Sequence, residues 1–231
     1  MDALSNARYK PPIPFGFHYI WGNCELGYMI ERDVDGSQFF WVPANSLEKN
    51  GTIDGTRFNH SFGRRSFDDT PISNLMESAS LSFEQATRMR NSVERYGGFY
   101  ISRFLISKAS VASYRSVPGS YPVTNVSFYD AYVISQEFVD FYNHHLSSHL
   151  VFPSEYDSMV QWQIKLVSEH KCIKNVLALD SGFTEWTQEQ SICNPNLAVV
   201  REHAGISSRR LIRKTHRSKL LGFRVALSID V

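Results

Sequence analysis

Residues 220–229 of the chain, LLGFRVALSI, place one arginine, Arg224, inside an otherwise apolar run. The β-branched and aromatic residues of this run predict a buried strand. A guanidinium is costly to bury without a partner, so the fold must bring a carboxylate or backbone carbonyl groups to Arg224. The identity of that partner bears on whether Arg224 serves the fold or a functional site.

The composition sets broad limits on the protein. The chain has 231 residues, 42% of them hydrophobic, so it can bury a sizeable core as one large domain or two small ones. Its net charge of +1 favours no class of partner. The spacing and odd number of Cys24, Cys172 and Cys193 predict neither a disulfide framework nor a zinc site. No stretch has the length of a signal-peptide core or a membrane helix, so we expect no signal peptide and no membrane insertion.

The first part of the chain has strand and loop patterns. Residues 7–22 contain three prolines and predict an extended arm that leads into short strands, among them GYMIERD and SQFFWVPAN. The Asp35-Gly36 pair between those two segments is typical of a tight hairpin turn. Residues 44–80 are rich in turn formers and charge, which predicts a long loop region.

Three helix starts share one pattern, a serine followed three residues later by a side chain able to complete a capping box. They are expected at Ser82, Ser127 and Ser154. Two strands, GGFYISRFLIS and the closing LGFRVALSI, complete the pattern. We therefore predict an α+β fold with few helices, short antiparallel strands and much irregular loop.

Several segments, in order, resemble the formylglycine-generating enzyme (sulfatase-modifying factor) family. They are GGFYISRFLIS, YPVTNVSFYDAYVISQEF, LVFPSEYDSMVQW, SGFTEWTQE and LGFRVALSI. The head segment GYMIERDVDGSQFFWVPA is similar to a phage or prophage subgroup of that family. The resemblance implies a C-type-lectin-like fold of the formylglycine-generating-enzyme type. It divides the chain into an arm with the first strands at 1–43, an insertion at 44–80 and the core at 81–231, within one globular domain over 13–231.

The catalytic members of this family share a pair of cysteines that binds copper(I). The pair lies between the Glu-Trp block and the last strand. Here that interval holds only Cys193, so we expect no formylglycine-generating activity and no catalytic residues. The iron-dependent branch needs a three-histidine site, whereas His18 and His60 are isolated in this sequence.

Two metal sites can be considered, although we expect no resident cofactor. His145 and His149 are four residues apart, with His144 beside them, and would share a helix face at the end of the second helix. The resemblance also implies a calcium site at Glu185, with Ala178 where the family has an asparagine ligand. Calcium at Glu185 therefore stays an alternative.

The segment before the closing strand is strongly basic. Residues 201–219 contain five arginines and two lysines against one acid, a local charge of +6. In the family this stretch lies where ligands are contacted, and Arg-rich clusters bind planar anions well. The predicted ligand-binding residues are Arg201, His203, Arg209, Arg210, Arg213, Lys214, His216, Arg217 and Lys219. The alternative is that these charges form only a solvated face.

The aromatic residues divide into two groups. The strand aromatics Phe39, Phe40 and Trp41 and the helix aromatics Tyr129 and Tyr132 are interpreted as core residues because they follow strand and helix patterns. The loop residues Tyr114 and Tyr121 are expected to be exposed.

These observations favour a non-enzymatic recognition protein, either a receptor-binding or structural component of a phage or prophage virion or a variable ligand-binding protein. The expected partner is a protein or a glycan, and an anionic ligand would match the basic segment. Neighbouring virion proteins are further expected partners. The sequence leaves open whether the protein forms an oligomer. We expect the protein in the cytoplasm of the producing cell or in the virion. An oxidase or other enzyme on the same fold is one alternative. Nucleic-acid binding by residues 201–219 is another, disfavoured because the segment lacks aromatic residues.

The resemblance also gives structural roles to three residues. It places Arg224 in the closing strand, where we predict a buried ion pair with Glu185 or Glu155 or bonds to carbonyl groups. Trp186, beside Glu185, is expected to be structural.

Overall fold

The computed structural model describes residues 10–23, 27–43, 83–110, 113–139, 145–168, 179, 182–191, 194–202 and 209–229. Over these residues the chain forms helices and short strands. The helices are α1 (Phe83–Tyr96), α2 (Phe128–Gln136) and α3 (Pro153–Ser168). The strands are β1 (Phe17–Asn23), β2 (Gly27–Arg32), β3 (Gln38–Pro43), β4 (Gly98–Ser102), β5 (Ser107–Lys108), β6 (Tyr114–Arg115), β7 (Leu146–Leu150), β8 (Thr184–Gln190), β9 (Leu197–Arg201), β10 (Arg209–Arg213), β11 (Leu221–Phe223) and β12 (Val225–Ile229).

Among the described residues, the strands form a six-stranded sheet, a four-stranded sheet and a small two-stranded sheet. Their orders are β1-β2-β3-β4-β12-β7, β10-β9-β8-β11 and β5-β6. Every pairing is antiparallel except that of β11 with β8. The predicted α+β class with few helices and mostly antiparallel strands is therefore confirmed. The predicted loop at 44–80 lies outside the described residues.

The hairpin predicted around Asp35-Gly36 is confirmed by the antiparallel pairing of β2 with β3. The amide of Gly36 donates to the carbonyl of Arg32 at 2.9 Å, and Gly36 has a φ of 72°, which glycine adopts without strain. The Arg32 side chain forms an ion pair with Asp35 and holds the turn. Burial alone would raise the pKa of Asp35, but the bonds and charge of Arg32 and the Ser37 amide lower it below 3.8.

The predicted helix starts have different outcomes. Ser127 forms the expected capping box, in which its side chain accepts from the Asp130 amide and Asp130 accepts from the Ser127 amide. The cap predicted at Ser154 is misplaced by two residues, because α3 begins at Pro153 and Ser154 already lies in its first turn. Proline suits the first helical position, since no amide donor is needed there. Ser82 lies outside the described residues, directly before α1.

The closing run is not the single strand that was predicted. It divides at Arg224 into β11, which belongs to the four-stranded sheet, and β12, which belongs to the six-stranded sheet. The closing run therefore passes from one sheet to the other at Arg224.

The six-stranded sheet has a hydrophobic cluster on each face. Side chains of β3 alternate between the two clusters, so Phe40 contacts one and Phe39 and Trp41 contact the other, in agreement with their predicted core role. The first cluster includes Met89, Val93, Met159 and Trp162 from α1 and α3. The second includes Phe128, Ala131, Ile134, Trp186 and Phe223 from α2 and the four-stranded sheet. The sheet thus lies between α1 and α3 on one side and α2 with the smaller sheet on the other.

Candidate binding site

Arg224 holds the two larger sheets together from a fully buried position. Its Nε lies 3.1 and 3.0 Å from the two carboxylate oxygens of Glu185 in β8, and both side chains are at most 1% exposed. Its Nη1 donates to the carbonyl oxygens of Ser102 and Arg103, at 3.0 and 2.6 Å, where β4 ends. The expected buried ion pair is present, and Glu185 is the carboxylate that forms it. Trp186, the next residue, is buried and donates from Nε1 to the Val126 carbonyl at 3.0 Å, consistent with its structural role.

Glu155, the other carboxylate considered for Arg224, pairs instead with His149. Both Glu155 oxygens lie 3.0 Å from His149 Nε2, and the Phe152 amide donates to Glu155 at 2.9 Å. His149 is buried in β7, so the interpretation that it shares a helix face with His145 is wrong. The strand begins at Leu146, and its sequence, LSSHL, has no β-branched residue. It pairs with β12 along its whole length.

The two metal-site predictions involve residues that the structure describes only in part. No group of three His, Cys, Asp or Glu side chains able to hold a metal ion occurs in the described part of the chain. Both oxygens of Glu185 face Arg224, while Ala178 and His144 lie outside the described residues. The calcium site at Glu185 stays a prediction.

Arg201, predicted to contact a ligand, is a core residue and is not part of the exposed basic surface. Its side chain is 2% exposed, and its Nη1 lies 2.8 Å from Asp157 Oδ1. Its Nη2 donates to Glu189 at 3.3 Å, and the guanidinium lies 5.2 Å from the Tyr156 ring. Burial, together with the charge of Glu185, raises the pKa of Tyr156 far above its usual range. The basic segment therefore begins with an arginine that pairs with the buried Glu189 and the partly buried Asp157.

The other predicted ligand-binding residues are divided by exposure. Those whose side chains are exposed are Arg210, Arg213, His216, Arg217 and Lys219. Lys214 is buried. Arg209 lies in β10, but its side chain is outside what the structure describes. His203 lies outside the described residues altogether. Two of the exposed arginines have carboxylate partners, since Arg210 pairs with Glu202 at 2.9 Å and Arg217 with Asp130 at 2.6 Å.

The turn after β10 is fixed on both sides by backbone hydrogen bonds. The Lys214 amide donates to the Asn196 carbonyl, and the Lys214 carbonyl accepts from the Phe128 amide, both at 2.9 Å. Lys214 thus joins the start of β9 to the first residue of α2. On the next turn, Arg217 donates to the Asn125 carbonyl at 2.9 Å. The side chains on this turn are therefore presented by a rigid frame, which favours recognition.

A surface groove of about 390 Å³ lies where these elements meet. Its walls come from α2, from the turn between β8 and β9, and from the end of β10 with the turn that follows. The lining residues are Tyr129, Asn194, Asn196, Leu197, Arg213, Lys214 and Thr215. This volume is within the range of small-molecule sites, and the lining combines an aromatic ring with several polar groups.

Lys214 lines this groove although only 8% of the residue is exposed. Its ammonium donates to Gln190 Oε1 and lies 5.3 Å from the centre of the Phe128 ring. Burial lowers the pKa of Lys214 below 10.5. Within the described residues no carboxylate lies in ion-pair distance of this ammonium, which contacts an amide oxygen and an aromatic face there.

Sequence reasoning missed four residues of the groove and misplaced Tyr129. Tyr129 was interpreted as core but is 51% exposed. The signal was present, because Ala131 and Ile134 fix the buried face of α2 and put residue 129 on the opposite side. Tyr132 is half-buried, Tyr114 is partly buried rather than exposed, and Tyr121 is 71% exposed as predicted. For Asn194, Asn196, Leu197 and Thr215 the sequence carries no signal, because only the pairing of β8, β9 and β10 brings their turns together.

No helix in the described part of the chain is long and apolar enough to cross a membrane. Comparisons of the chain with protein-family models, with curated proteins and with solved structures gave no match.

Proposed function

We propose that the protein is a non-enzymatic recognition protein that binds its ligand in the groove between α2 and the turns flanking β9 and β10. The single observation that carries this proposal is the groove itself. Its exposed Tyr129 and Arg213 are presented by elements that backbone hydrogen bonds fix to one another. A preformed concave site with a ring and converging polar groups is the usual arrangement for ligand binding.

We further propose the C-type-lectin-like fold of the formylglycine-generating-enzyme type and a role in a phage or prophage virion. Five sequence blocks in the family order support the fold, and the pairing of the closing β12 with β4 and β7 is compatible with it. The head segment supports the phage or prophage subgroup. In this proposal the groove contacts a glycan or a short peptide of a host surface or of a virion neighbour.

The ligand class can be tested with the purified chain on an array of bacterial oligosaccharides and on a displayed peptide library, followed by calorimetry of the ligands that bind. We expect Tyr129→Ala to weaken binding at least tenfold, since it removes the ring of the groove. Tyr121→Ala is the matched control, because it removes another exposed tyrosine that does not line the groove, and it should leave affinity within twofold. Absence of binding in both libraries, or equal losses in the two variants, would contradict the proposal.

The enzymatic alternative is tested separately by titration with copper(I) and an assay of thiol oxidation. We expect neither stoichiometric copper(I) binding nor turnover, because the interval before the last strand holds one cysteine where two thiolates are needed. Turnover that disappears in a Cys193→Ser variant would establish an oxidase and overturn the proposal of a purely binding protein.

A further inference from the structure

We propose that the groove recognises the carboxylate of an acidic saccharide, with Lys214 and Arg213 supplying the positive charge and Tyr129 the stacking ring. This inference rests on the proposed function, since it assigns a ligand class to the same groove. Three observations support it: the charge of the groove lining, the burial of Lys214, and the hydrogen-bonding groups that line the groove.

The lining residues that the structure describes include two cations and no acidic residue. Asp130, next to Tyr129 in the chain, is already engaged by Ser127 and by Arg217. Burial would raise the pKa of Asp130, but the Ser127 bonds and the Arg217 charge lower it, so Asp130 is ionised and its charge is offset locally. The positive charge of the groove is therefore not neutralised by the neighbouring carboxylate.

Lys214 adds a charge that is felt strongly inside the groove. The Lys214 ammonium packs against Phe128 and Gln190 in a residue that is 8% exposed, which lowers the effective dielectric between this charge and a nearby anion. Buried charges in proteins are normally paired, yet within the described part of the chain the partners of this ammonium are the neutral Gln190 amide and the Phe128 ring. A ligand carboxylate in the groove would supply the missing counterion, and Arg213 can donate to it from the exposed wall.

The remaining lining groups suit a sugar. Tyr129 offers a half-exposed ring against which the apolar face of a pyranose can stack. Asn194 accepts from the Asn196 amide through Oδ1 at 3.0 Å, which orients its side-chain NH₂ group to donate. Asn196 and Thr215 add an amide and a hydroxyl, and both are exposed. The volume of about 390 Å³ limits the occupant to a few rings, in contrast to a folded partner surface.

The test compares acidic oligosaccharides with their carboxyl-reduced forms. Trigalacturonate, an oligoglucuronate and a sialyl-oligosaccharide are each titrated against the full chain by calorimetry, together with the same sugar after reduction of its carboxylate to an alcohol. We expect at least one acidic sugar to bind at least tenfold more tightly than its reduced form, with an affinity that falls as salt rises. An acidic hexapeptide is included as a probe of a different ligand class.

Arg213→Gln and Arg210→Gln form the matched pair of variants. Both remove an exposed guanidinium from β10, but only Arg213 lines the groove. We expect Arg213→Gln to weaken binding of the acidic sugar at least tenfold and Arg210→Gln to change it less than twofold. Lys214→Met should abolish the preference for the acidic form, and its unfolding curve shows whether the variant is folded. If Lys214→Met does not fold, the comparison of Arg213→Gln with Arg210→Gln decides the test.

The outcomes separate this inference from the proposed function. If acidic and reduced sugars bind equally and Tyr129→Ala still weakens both, the groove is a binding site but the carboxylate assignment is wrong. Binding of the acidic peptide alone also overturns the saccharide assignment. If no sugar binds, the inference fails, and the array and display experiments then decide the proposed function independently.

Discussion

Replacing Arg224 with alanine should destabilise the fold severely, because it leaves the Glu185 carboxylate buried without its partner. Both side chains are at most 1% exposed, and Arg224 Nε contacts both oxygens of Glu185. Removal of one member of such a pair costs about 3–5 kcal/mol. The same substitution frees the carbonyl oxygens of Ser102 and Arg103, which lose their bonds to Nη1. Since domains are stable by only about 5–15 kcal/mol, this loss is a large part of the total.

Urea unfolding followed by tryptophan fluorescence and circular dichroism measures this effect. We expect the free energy of unfolding of Arg224→Ala to fall by about 3–5 kcal/mol. Arg210→Ala is the control, since its ion pair with Glu202 is largely exposed and contributes less than about 1 kcal/mol. A variant with Arg224→Met and Glu185→Met together should recover part of the loss, because it removes the uncompensated charge.

Two results would refute this reasoning. An Arg224→Ala variant within about 1 kcal/mol of the parent would mean that water or another cation reaches Glu185 in the folded state. An Arg224→Ala variant of normal stability that loses ligand binding would place Arg224 in the functional site. Neither result is expected from a guanidinium that joins β8 to the end of β4.

Three further predictions concern other parts of the molecule. Arg201→Ala should lower stability by about 3–5 kcal/mol in urea unfolding, because it removes the guanidinium that pairs with the buried Glu189, and a variant of parental stability would contradict its core role. Ser127→Ala should cost about 1 kcal/mol in the same assay by removing the α2 cap, whereas an unchanged midpoint would mean that the cap contributes nothing. The folded-state pKa of Asp35 lies below its unfolded value, so its stabilising contribution is present above pH 3.8 and is lost as pH falls through the folded pKa. The stability difference between the parent and Asp35→Asn should therefore shrink in unfolding experiments from pH 7 to pH 3, and a constant difference would contradict this assignment.

The sequence alone determined the features that depend on residues close together in the chain. The β2–β3 hairpin follows from Asp35-Gly36 between two apolar segments, and the α2 start follows from Ser127 and Asp130. The core role of Phe39 and Phe40 follows from a strand whose two faces are both apolar. In each case the deciding interactions are a turn, a cap or a side-chain period, all of which are local.

The tertiary structure decided what depends on distant pairings. Arg224 had to have a partner, but the choice of Glu185 over Glu155 depends on the parallel pairing of β11 with β8 and on His149, whose Nε2 already contacts the Glu155 carboxylate. Arg201 and Arg213 are both arginines of one basic segment, yet the first is buried and the second lines the groove. The physical reason is that the cost of burying a charge depends on which carboxylates the sheets bring beside it, and no local pattern encodes that position.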